Sequence, residues 1–156
     1  MAEVFIGPQS QALVAAGTVV SGAPGSTTSA VLTLPLADSY AFVLNVTAIT
    51  GTSPTLDVAL QVTPDGGTTW FDWLRWAEVT GNTAVTRRMI VQPIQGRGEA
   101  ATEAAITAGT TNSVLIQNVP MPGALSQIRF RYTIGGTSPN YTLGIFMFAQ
   151  VKQSAI

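Results

Sequence analysis

The sequence predicts an all-β fold, an antiparallel two-sheet sandwich of jelly-roll-like form with an extended N-terminal arm, on three observations. Apolar and polar residues alternate at period two in short runs, Gly, Pro, Ser and Asn clusters punctuate those runs, and helical periodicity is nearly absent. About eight strands at this spacing suit a sandwich, with a barrel as the alternative. A chain of 156 residues is one domain of ordinary size and needs no disulfide or metal to fold.

Residues 1–28 open the chain as the expected arm, because Gly7 to Thr28 is rich in Ala, Gly, Ser and Thr and has only Leu13, Val14, Val19 and Val20 as substantial apolar anchors. The sandwich domain is then 29–156. Its first strand falls at Ser29–Leu34. Phe42, Leu44, Val46 and Ala48 mark a second, and Leu56, Val58, Leu60 and Val62, alternating with Thr55, Asp57, Ala59 and Gln61, mark a third. Further strands are expected at Trp70–Trp76, Ala84–Val91, Ser113–Val119 and Tyr141–Val151. The clearest alternation runs from Gln127 to Ile134, with Ile128, Phe130, Tyr132 and Ile134 on one face and Gln127, Arg129, Arg131 and Thr133 on the other. Gly51-Thr52-Ser53-Pro54 and Gly136-Thr137-Ser138-Pro139 each sit between two alternating runs and read as hairpin loops. Residues 95–112 form a long loop, with a possible helical turn at Glu99–Ile106, of the kind that reaches neighbours in assemblies.

The composition excludes whole classes of chemistry. There is no cysteine and no histidine, which removes thiol nucleophiles, disulfides, thiolate or imidazole metal sites and the histidine-based triads. Catalytic, cofactor-binding and metal-binding residues are therefore all expected to be none. The remaining carboxylates show no spacing that singles out a catalytic pair, and no acidic cluster supplies a calcium loop. Gly96-Arg97-Gly98 lacks the Lys-Ser/Thr continuation of a phosphate loop.

Charge is scarce as well. Seven Lys+Arg and eight Asp+Glu leave a net charge of −1 with only 10% charged residues, so no basic field exists to attract nucleic acid. No apolar window approaches the roughly 18 residues of a spanning helix, and the N-terminus lacks a basic, apolar leader. These features predict a soluble, cytoplasmically synthesised protein with neither a membrane nor a nucleic acid as partner. A surface this poor in charge is expected to be partly covered in an assembly.

Thr63-Pro64-Asp65-Gly66-Gly67-Thr68-Thr69-Trp70 matches Ser/Thr-x-Asp-x-Gly-x-Thr-Trp, the Asp-box, and resembles the hairpin turns of sialidases and other β-propellers. A propeller needs several copies and this chain has one, so Asp65, Gly66, Gly67 and Trp70 are expected to form a structural turn. After it, Trp70, Asp72, Leu74 and Trp76 share one strand face and Phe71, Trp73 and Arg75 the other. Phe146 and Phe148 likewise oppose Leu143, Ile145 and Met147 on the last strand. Aromatics on both faces predict a subunit contact or a flat sugar-like ligand, and Arg is the cation suited to bidentate interface pairs. The candidate interface residues are Trp73, Trp76, Arg75, Arg87, Arg88, Arg97, Phe146 and Phe148.

The run TGTSPTLDVALQVTPDGGTTWFDW in a Thr/Gly/Ala-rich, cysteine-free β-protein resembles small virion structural proteins of tailed bacteriophages, most of all capsid decoration or cement proteins. That resemblance covers Ala41 to Trp76 best. It implies a homotrimer on the outer capsid surface of the virion that binds across major capsid protein subunits and stabilises the head. Two other readings remain open at this point: a carbohydrate-binding or receptor-binding tail module presenting Trp73 or Trp76, and a head–tail adaptor or other tail structural protein.

Overall fold

A computed structural model describes residues 9–33, 37, 39–63, 65–93, 113–119 and 127–150 of the chain. Among these the protein is all-β and contains no helix. The strands are β1 (Gln9–Ser21), β2 (Gly25–Thr28), β3 (Leu32–Thr33), β4 (Ser39–Val62), β5 (Phe71–Arg75), β6 (Val79–Thr80), β7 (Val85–Pro93), β8 (Ser113–Val119) and β9 (Gln127–Gln150). They form one open sheet in the order β1-β9-β4-β7-β8, with β2 and β3 pairing β9 and β5 and β6 pairing β4. Every pairing is antiparallel except the parallel contact of β7 with β8.

The centre of the sheet is the pairing of β4 with β9, two strands of 24 residues each that run alongside one another from Ser39 opposite Gln150 to Val62 opposite Ile128. The two GTSP tetrapeptides lie inside these strands. They are not the hairpin loops expected from their composition, because the chain does not reverse at either one. The two meet each other, with Thr52 opposite Thr137, and the register shifts on both sides of that pair. Ser53 and Ser138 take positive φ angles of 49° and 51°, and Gly51 and Gly136 take 126° and 97°. Gly supplies positive φ without steric cost, and Pro tolerates the loss of a ladder hydrogen bond, so the same residues that make a turn also make a bulge.

The crossing is also tight. A Cβ on Gly136 would stand 2.5 Å from the Ser53 carbonyl oxygen, and one on Gly51 would stand 3.0 Å from the carbonyl oxygens of Thr137 and Ser138. Glycine is required here by close approach of two backbones as well as by φ.

Around this crossing the chain has an internal two-fold pattern. Leu56, Val58 and Leu60 follow the first GTSP at the spacing at which Tyr141, Leu143 and Ile145 follow the second, and all six are buried. The outer strands obey the same relation. β1, β2 and β3 travel along β9 from Ala149 to Gln127, and β5, β6 and β7 travel along β4 from Val62 to Tyr40. Residues 9–28, expected as an arm reaching away from the domain, are thus edge strands of the sheet, because the outward side of β9 has no other occupant among the described residues. Elsewhere, β5, β7 and β8 overlap the predicted strands, Ser29–Leu34 contributes only the short β3, and the expected loop at 95–112 lies outside the described residues.

One face of the sheet carries the core. Tyr40, Phe42, Leu44 and Val46 of β4 alternate with half-buried residues, and Ile128, Phe130, Tyr132, Leu143, Ile145 and Met147 of β9 lie on the same side. The Tyr40 and Phe42 rings stack at 5.8 Å, and Trp76 tilts against Phe130 at 6.1 Å. Each fully buried large apolar side chain contributes about 1.5–3 kcal/mol, so the strictly alternating pattern fixes the register, since a slip by one residue would turn the whole set to the opposite face.

The crossing predicts a graded response to Cβ atoms. Gly136→Ala is expected to cost about 2 kcal/mol or more, because positive φ and a backbone clash act together. Gly81→Ala, at φ 77° with nothing within 4 Å of the added atom, is expected to cost about 1 kcal/mol. Urea unfolding of the two variants checks the order.

Candidate functional site

The turn after β4 is built by two side chains. Thr63 Oγ1 donates to Asp65 Oδ1 at 2.8 Å and accepts from the Gly67 amide at 2.8 Å. Asp65 Oδ1 accepts the amides of Thr68 and Thr69 at 3.0 and 2.8 Å, and Trp70 Nε1 donates to the Gly67 carbonyl at 3.0 Å. Gly66 and Gly67 take φ of 71° and 108°, which closes the loop. The hydrogen bonds from Thr69, first by its side chain and then by its amide, hold the Asp65 carboxyl at about 2, below its ordinary 3.8. Asp65 is fully engaged in holding the turn.

The turn is tied to the polar face of β4 and β9. The Arg129 guanidinium lies 4.3 Å from the Trp70 ring centroid, while its Nε donates to Gln61 Oε1 at 2.8 Å. Gln61 Nε2 donates to Asp72 Oδ1 at 2.7 Å, and Arg131 Nη2 meets Asp72 Oδ2 at 2.6 Å. Arg75 Nε donates to Asp57 Oδ1 at 2.6 Å, and its Nη2 pairs with Asp57 Oδ2. Three strands are bridged in this way. Arg75, a candidate for an intermolecular pair, has an intramolecular partner, and so do Asp57 and Asp72. Among the described residues no three His, Cys, Asp or Glu side chains converge as a metal site would require.

The other candidates separate into different environments. Trp76 is 3% exposed and packs in the core on Phe130, so it presents no face to a sugar or a subunit. The physical reason is a bulge: the register shift between Leu60 and Gln61 places Trp73 out of step and returns Leu74 and the following segment to the core side. Trp73 is half-buried against the core, and its Nε1 has no hydrogen-bond partner among the described residues. Arg87 stands opposite Leu44 on the apolar side and extends to the edge, where Nη2 donates to the Glu78 carbonyl at 3.3 Å. Arg88 points the other way and is exposed. Arg97 lies outside the described residues.

Phe146 and Phe148 are brought together with residues that the sequence did not single out. On the face opposite the core, Ala12, Phe146, Val43 and Arg88 form one cross-strand row, and Ser10, Phe148, Ala41 and Ile90 form the next. Phe148 is 46% exposed; Phe146, Val43, Ala41 and Ile90 are half-buried. The result is an apolar surface across four strands, bordered by the polar pair Thr86–Asn45. Alternation alone puts each residue on this face, but their adjacency depends on strand order, which no local pattern encodes.

No protein-family model, curated protein or solved structure matches the chain.

Two variants probe this region. Because the Asp65 carboxyl titrates lower in the folded chain than in the unfolded one, its contribution is present above about pH 3.8 and is lost as pH falls through about 2. Asp65→Ala is expected to melt below wild type at pH 7, with the difference shrinking across that window in thermal melts. Trp76→Ala, which opens a cavity beside Phe130, is expected to cost about 3–5 kcal/mol in urea unfolding.

Proposed function

We propose that this protein is a non-enzymatic virion structural protein of the capsid-decoration kind, which self-associates, as a trimer, and lays a largely apolar face on the subunits of a phage head. The observation that carries this reading is the outer surface around Phe148, apolar over four adjacent strands and bordered, among the described residues, by one cation, Arg88. Contiguous apolar surface of this kind marks interaction sites in soluble proteins. The low overall charge supports the same reading, and so does the use of Arg75 and Arg131 in intramolecular pairs, which leaves contact area as the means of binding. Many symmetric copies of a modest contact stabilise a shell by avidity.

The fold that accompanies this proposal is a sandwich in which the sheet doubles back at the GTSP crossing. Tyr40, Phe42, Leu44 and Phe130 have no exposed surface, and strands are the only regular elements among the described residues that could cover them. Bulges in both central strands at the same level supply the bend such a closure needs.

Cosedimentation with phage heads assembled without the protein tests the function. Wild type is expected to pellet with the heads, and Phe148→Glu, a change at an exposed site that leaves the melting temperature within a few degrees, is expected to lose at least tenfold in affinity. Wild type that stays in the supernatant, or Phe148→Glu that binds as wild type does, would overturn the proposal.

A further inference from the structure

The internal two-fold relation pairs each core position of one outer strand with a position of the other, and at one pair the two differ sharply. Leu74, Trp76 and Val79 lie beside Leu60, Val58 and Leu56 on β4. At the corresponding places on β9, Val14, Thr18 and Val20 lie beside Ile145, Leu143 and Tyr141. Leucine answers to valine and valine to valine, but the indole of Trp76 answers to Thr18, preceded by Ala16 and Gly17. Where Trp76 and the crossing Arg87 side chain fill one edge, the other edge holds a groove of about 410 Å³, whose lining includes Val14, Thr18, Val20, Thr28, Ala30 and Tyr132.

This groove has the character of a receptor for an apolar side chain. None of its lining residues is charged. Tyr132 is 3% exposed, yet its hydroxyl has no hydrogen-bond partner among the described residues. Val19, a strongly exposed apolar residue, is part of the groove's lining. β1 pairs on one side only among the described residues, so its outward backbone groups are available to an added strand.

We propose that the groove is filled by Phe71 of a second copy of this chain. Phe71 is 56% exposed and sits on β5, which also pairs on one side only among the described residues and lies at the opposite edge of the sheet. Knob and hole on opposite edges make a head-to-tail contact, the kind that closes into rings. An aromatic ring would then occupy in trans the place that Trp76 occupies in cis, and β1 would gain β5 of the neighbour along its free edge. This deepens the self-association part of the proposed function and rests on it, and it uses a sheet edge, leaving the Phe148 face for the shell.

Ala30→Trp fills the groove from within, and Phe71→Ser removes the knob at an exposed position where folding does not depend on it. Light scattering coupled to size exclusion is expected to give wild type a mass of about three chains and both variants the mass of one, with melts and far-UV circular dichroism showing that each is folded. A monomeric wild type, or a folded variant of either kind that keeps the wild-type mass, overturns the groove contact. Cosedimentation separates the two readings: protein that assembles through the groove but ignores phage heads sinks the decoration role alone, and monomer that binds heads sinks the self-association and the groove contact while the decoration role stands.

Discussion

Everything in this fold depends on the antiparallel pairing of β4 with β9 and on the point where their backbones cross at Thr52 and Thr137. Two long strands of Thr, Val, Leu and Ile have strong reason to pair, but a ladder of that length without interruption would be a stiff ribbon with one face too long to cover. Placing a bulge at the same level in both strands divides the ribbon without breaking it. The glycines at the crossing are there because two backbones come within contact distance, and the serines accept left-handed φ because the flanking pairs over-determine them.

The outer strands are consequences of that centre. Each half of the chain sends its leading segment along the long strand of the other half, so β1–β3 are held by β9 and β5–β7 by β4. Polar side chains reinforce the arrangement on the face opposite the core, where Gln61 links Asp72 to Arg129 and the Thr63–Trp70 turn leans on Arg129. Exposed ion pairs contribute little in water, so their role here is geometric: they fix the outer side of β5 and the turn where the apolar core does not reach.

Much of this was legible in the chain. Alternation located the core residues of β4 and β9 and the strand at 113–119, and the Thr63–Trp70 pattern carried its own hydrogen-bonding logic. The GTSP segments were misleading because turn chemistry and bulge chemistry use the same residues, and only the partner strand decides between them. Trp76 was a candidate contact because strict alternation grouped it with Asp72 and Trp70; the bulge at Trp73 breaks that phase, so Leu74 and Trp76 join the core while Asp72 faces the polar side. Residues 9–28 looked like an arm because small polar residues suit an edge strand and a loose segment equally well. The apolar face around Phe148 was half visible: its aromatics stood out, but Val43 and Ile90 join them only through strand order.

The pairing of β1 with β9 joins the first described residues to the last, and this sets a timetable for folding. As the chain leaves the ribosome, β4 can collect β5, β6 and β7, but its other side and every contact of β1, β2 and β3 must wait for residues 127–150. The apolar side of β4 is therefore half-covered until residues 127–150 have emerged, and the step that follows is an insertion: β9 enters between two strands already made, and both edges of the entering strand close at once. Such long-range closure is slow relative to local pairing. A chain at that waiting stage can pair with the β9 of a neighbouring chain in place of its own.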